Sequence, residues 1–161
     1  MATTLRTPAR PAAGGRSITP GAGVMTGGAA IFAGSWLPLA TWTVAGLSLP
    51  MVPSALRLAS ALFGLMILGL GAAVAFGSPE VRRGAAVAAV GTAVPGALGY
   101  LATILGGLIG YPIPDSLGLA VRVTYSPGVG LILALAGCVA ATVAAIRAFR
   151  TAGRIAPDRQ Y

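Results

Sequence analysis

Apolar positions in this chain fall into four long runs, at about 21–39, 55–77, 84–109 and 127–146, separated by short joints that carry arginine or proline. Only lipid solvates such a pattern, and each run is long enough to be a membrane-spanning helix. The first run contains Gly23, Gly27, Gly28 and Gly34, which loosen its helix, and ends near Trp36 and Pro38. The second is a plain Leu/Ala/Gly/Met helix closed by Ser78-Pro79, where proline cannot continue the hydrogen-bond ladder. A joint of only a few residues, Ser78 to Arg83, makes the second and third helices antiparallel neighbours. The fourth begins at Pro127, a favourable first-turn residue, and reaches Ile146 after about 30 Å, one hydrocarbon thickness. The expectation is an all-α bundle of four transmembrane helices over residues 21–150. A disordered tail precedes it over 1–20, and a second tail follows over 151–161.

Two exterior loops separate these runs, and they hold a different period. In the second, Leu117, Leu119, Val121, Val123 and Tyr125 alternate with Gly118, Ala120, Arg122 and Thr124, the spacing of a strand. The first carries Thr41-Trp42-Thr43-Val44 before Pro50 and Pro53. A small strand pair formed from the two loops is expected, with Trp42 and Tyr125 near the headgroups and Asp115 paired to Arg57 or Arg122. These five residues form the best docking candidates, although a lid over the bundle's end explains them more simply. A loose Pro, Pro, Ser, Leu, Arg order recurs at Pro50, Pro53, Ser54, Leu56, Arg57 and at Pro112, Pro114, Ser116, Leu119, Arg122. It would relate two helical hairpins by an axis along the membrane normal.

Charge then orients the bundle. The 161 residues are 56% hydrophobic and only 9% charged, with a mean hydropathy of +0.86, far outside the balance of a soluble domain. All eleven basic residues are arginine, and the acids are Glu80, Asp115 and Asp158. The net charge of +8 sits at the ends of apolar segments rather than on a polar face with interleaved aromatics. It therefore points to membrane lipids and not to nucleic acid. Arg6, Arg10, Arg16, Arg82, Arg83, Arg147, Arg150, Arg154 and Arg159 fall on one side of a four-pass arrangement, and only Arg57 and Arg122 on the other. The positive-inside rule places both termini in the cytoplasm. Glycines, Trp36 and Pro38 argue against reading the first run as a removed leader. Arg147, Arg150 and Arg154 share one face of a helix continuing past the bilayer, where anionic lipid contributes about 1 kcal/mol for each arginine.

Small residues at fourfold spacing mark candidate packing faces: Gly91, Pro95, Gly99, Thr103 and Gly107 on the third helix, and Gly130, Ala134, Cys138 and Thr142 on the fourth. Gly69, Ala73 and Gly77 extend the pattern to the second. Pro95 is read as a static kink in preference to a gating hinge, and Cys138 as an inert packing thiol. Thr92, Tyr100 and Thr103 carry hydroxyls that bond back to their own helix or across to a neighbour.

No Asp, Glu, His or Lys lies in the middle of any run, which removes the usual proton relays and coupling-ion ligands. Without histidine and with one cysteine there is no zinc or haem ligand set, no metal or cofactor is implied, and a hydrolytic dyad lacks its base. The expected function is a non-enzymatic interaction or accessory subunit of a membrane assembly, with a small oligomeric channel or transport component as the alternative. Its partners would be lipids and either a membrane protein or further copies of itself.

A first helix ending in Gly34-Ser35-Trp36-Leu37-Pro38, a tight arginine-bearing turn and a fourth helix entered through Ser126-Pro127-Gly128-Val129-Gly130 resemble small four-pass membrane proteins of unknown function from actinobacteria. The resemblance spans nearly the whole chain and implies no catalytic residues. The proline-tryptophan pair that many of those proteins show at the first helix end is missing here. All-arginine, Ala/Gly-rich usage fits a high-GC bacterial source and the cytoplasmic membrane.

Overall fold

The computed structural model describes residues 19–44, 47–51, 54–109, 111–114 and 120–153; the two expected tails lie almost wholly outside them. Four helices are present: α1 (Thr19–Trp36), α2 (Ser54–Phe76), α3 (Pro79–Ile109) and α4 (Val129–Gly153). Between α1 and α2 lie the strands β1 (Ala40–Val44) and β2 (Leu47–Met51), and between α3 and α4 lie β3 (Tyr111–Pro114) and β4 (Ala120–Pro127). Each helix packs on the next in a closed ring, with α1 also against α4, so that α1 lies between α2 and α4.

Three helices, α2, α3 and α4, are long and apolar enough to cross a membrane. Their outward side chains are large and apolar: Leu58, Leu62, Leu98, Leu108, Val129 and Ile132 are all more than half exposed. The fourth, α1, has 18 residues, about 27 Å, and is diluted by glycine. Its glycine content has a physical reason, since the helix faces protein on two sides and needs close approach there.

That approach is made by glycine pairs seven residues apart, two turns of helix. On one side of α1 a methyl at Gly27 would lie 2.5 Å from the Gly137 carbonyl oxygen, and one at Gly34 would lie 2.7 Å from that of Gly130. On the other side, a methyl at Gly28 would lie 2.5 Å from the backbone nitrogen of Leu68, and one at Gly64 would lie 2.6 Å from that of Phe32. These contacts run antiparallel, backbone against backbone, and no larger residue fits them. The first-helix glycines, expected to loosen the helix, are instead what lets it pack. Small side chains fill the remaining core: Ala89, Ala93, Ala134, Cys138, Ala141 and Ala145 are fully buried around Val24, Ile31 and Ile67.

Several boundaries differ from the sequence expectation. The fourth helix starts at Val129, not Pro127, because Pro127 is the last residue of β4 and Gly128 makes the bend. The third starts at Pro79, so Arg82 and Arg83 stand in its first turns instead of in a loop. Ser78 caps it, its hydroxyl accepting from the Val81 amide at 3.4 Å and its carbonyl from the Arg82 amide at 2.8 Å. Proline in the first turn loses nothing there, and Glu80 suits the positive helix end. The joint is thus only Gly77-Ser78.

The expected strand pair is present and larger: β1 pairs antiparallel with β4, and β2 and β3 flank them in a four-stranded sheet of order β2-β1-β4-β3. Its central pair continues the two helices that lie side by side. β1 follows α1 and β4 leads into α4, tied at the corner where Gly128 N–H donates to Leu39 at 2.9 Å and Gly130 N–H to the Pro38 carbonyl at 3.1 Å. A side chain at Gly128 would run into the Pro38 carbonyl. The order overturns the faint internal repeat, because two equivalent hairpins would put corresponding strands at the centre, whereas β1 and β4 occupy opposite places in theirs.

Candidate functional site

At the sheet end, Trp42 stands directly opposite Tyr125 in the β1–β4 register, and Arg122 opposite Pro112 in β3–β4. Asp115 lies outside the described residues. Arg57 has a partner that the sequence reading did not assign: its guanidinium lies 5.8 Å from the ring centroid of Trp36, which in turn meets Phe32 edge-on at 6.3 Å. Phe32 and Trp36 are four residues apart on α1, so both rings project along one face toward the start of α2. That spacing was the available signal. The Arg57 Nε atom is buried without a hydrogen-bond partner, so its ring contact is the interaction the structure gives it.

Below this clamp, α2 and α3 diverge around a groove of about 380 Å³ lined by Leu56, Ser60, Phe63, Gly96, Tyr100 and Thr103. The Tyr100 hydroxyl donates to Ser60 Oγ at 3.0 Å, joining the two helices, and the Phe63 and Tyr100 rings meet edge-on at 6.4 Å. Of the hydroxyls singled out in the sequence, Tyr100 bonds across. Thr92 and Thr103 bond back, to Ala88 O at 2.7 Å and Gly99 O at 2.8 Å.

The candidate packing stripes separate into one that packs and one that does not. Gly130, Ala134 and Cys138 are buried, with Gly130 and Ala134 against α1 at Gly34. On α3, Gly91, Pro95, Gly99 and Thr103 are exposed and Gly107 only half-buried; side chains at Gly91 and Gly99 would meet nothing within 4 Å. These five face outward, so the interface this stripe was read to mark is not one within the chain. The buried line of α3 is Ala85, Ala86, Ala89 and Ala93. The cause is one of phase: Gly91 lies two residues, about 200° around the helix, from the buried Ala89, so the stripe from 91 onward runs on the opposite side from the line 85, 89 and 93. Gly69 on α2 is exposed for the same reason, and the real contacts there are Gly64 and Gly71.

At the opposite end, the starts of α1 and α3 come together with the ends of α2 and α4. Arg82 Nη2 donates to the Ala75 carbonyl at 3.4 Å, where the last turn of α2 leaves acceptors open. Arg83, Arg147 and Arg150 are exposed on the same end, and Arg154 lies outside the described residues. Among the described residues there is no group of three His, Cys, Asp or Glu side chains placed to hold a metal ion.

In comparison with known proteins, the chain matches no family model, no curated protein and no solved structure. The resemblance to small four-pass actinobacterial proteins therefore rests on the segments 34–38 and 126–130 and the arginine-bearing turn alone.

Proposed function

We propose that this chain is a four-pass protein of the bacterial cytoplasmic membrane, both termini cytoplasmic, that serves as a non-enzymatic interaction or accessory subunit of a membrane assembly. One observation carries the reading: the bundle is closed inside and open outside. Glycine-to-backbone contacts at Gly27, Gly34, Gly28 and Gly64 hold α1 close against both neighbours, while only 11% of the most apolar stretch of α3 is buried, against 39% for α2 and for α4. A helix that turns most of its surface outward, and small residues with it, can accept another transmembrane helix at close range. The sheet, built from both loops, closes the exterior end and offers a second surface there. Topology is supported by Arg82, Arg83, Arg147 and Arg150 standing at one end of the bundle.

Purification in mild detergent, with mass determination and identification of co-purifying proteins, tests the reading. A stable heteromer is expected, and a monodisperse monomer without partners would count against it. A channel would have to be assembled from several copies, and solute flux from liposomes holding the purified chain alone would favour that reading instead.

A further inference from the structure

Two apolar grooves flank α4 at its arginine end. One, of about 660 Å³, lies between α1 and α4 with Val143 in its wall; the other, of about 370 Å³, lies between α3 and α4 with Val87 and Phe149. Arg150 stands at the rim of both, and Arg147 joins it at the first. Three residues apart, the two guanidiniums project from neighbouring positions on the helix. Both are exposed, and neither has an ion-pair or hydrogen-bond partner among the described residues. The Thr151 hydroxyl beside them turns back to the carbonyls of Arg147 and Ala148. Glu80 is the one acid among the described residues.

The occupant of such a place needs an anionic group at the membrane surface and apolar matter directly below it, on both flanks of a single helix. A wholly apolar helix would leave the guanidiniums uncompensated, and a soluble anion would leave the grooves unfilled. We infer that the arginine end of α4 is a specific site for an anionic phospholipid of the cytoplasmic leaflet, which straddles the helix with an acyl chain in each groove and its phosphate on Arg147 and Arg150. The inference rests on the membrane-spanning reading above and adds to it a defined ligand.

The test is retention of phosphatidylglycerol against phosphatidylcholine by the full chain, exchanged into mixed-lipid nanodiscs, released into mild detergent and weighed by native mass spectrometry. Wild type is expected to keep phosphatidylglycerol selectively, and Arg147→Gln and Arg150→Gln each to lower that retention about fivefold. Gly91→Leu and Ala140→Leu fill the two grooves without touching a charge, and each is expected to reduce retention as well. Equal retention of both lipids by wild type would overturn the site. Loss with the arginine variants but full retention in the groove variants would also overturn it, reducing the effect to surface attraction. A chain that alkaline carbonate strips from the membrane would overturn the spanning reading itself, whereas an inserted chain without lipid preference overturns only the site.

Discussion

Helices α1 and α3 invert one another. The first is the one helix of the four that falls short of the hydropathy of a spanning segment, yet its glycines contact backbone on both sides, at Gly137 and Gly130 of α4 and at Gly64 and Leu68 of α2. The third is the longest, with 31 residues, and keeps most of its apolar stretch on the outside. Apolar content in a membrane helix records how much of it lipid must solvate, whereas small residues seven apart record where a neighbouring backbone must come close. A chain can therefore place its structural hub in the segment with the weakest hydrophobic signal.

The largest effect expected from breaking this contrast is at the α1 interfaces. Gly28→Leu or Gly34→Leu drives a side chain into backbone and should cost about 3 kcal/mol or prevent folding outright, read as loss of the monodisperse peak in detergent and early aggregation on heating. The same change at Gly91 or Gly99 on α3 should leave monomer stability within about 0.5 kcal/mol, because nothing stands in its way. Comparable losses at all four positions would erase the distinction between the two helices. Next in size is the bond that holds α2 to α3 where they diverge. Tyr100→Phe and Ser60→Ala should each cost about 0.6 to 1.7 kcal/mol in reversible unfolding, and the double variant little more than either alone. Smallest is the clamp at the sheet end, where Trp36→Leu should cost about 0.5 to 1 kcal/mol at low denaturant and Arg57→Gln a similar amount.

Much of the architecture was legible in the residues, for reasons that these comparisons make specific. Length and apolarity located the segments of α2, α3 and α4, and alternation over 117–125 located β4, with Trp42 and Tyr125 meeting in register. Helix starts were misplaced wherever a single proline was weighed without its neighbours: Pro127 closes a strand because Gly128 bends after it, while Pro79 opens a helix because Ser78 caps before it. The stripe on α3 could not report which side of the helix the chain itself covers, since Gly91 lies about 200° from the buried Ala89, whereas the sevenfold pairs 27/34 and 130/137 meet backbone within the chain. The Ser60–Tyr100 bond and the Arg57–Trp36 contact join residues 40 and 21 positions apart, and no local period reports a pairing between helices.

The most direct test of the central claim is sidedness labelling in intact cells and inverted vesicles, with single cysteines placed at Thr19, Ser48, Ser78 and Thr151 in a Cys138→Ala background. If all four helices cross, including the glycine-rich first, an impermeant thiol reagent reaches Ser48 only from outside and the other three only from the cytoplasmic face. Labelling of positions 19 and 151 from opposite faces, or of 19 and 48 from the same face, would contradict the account.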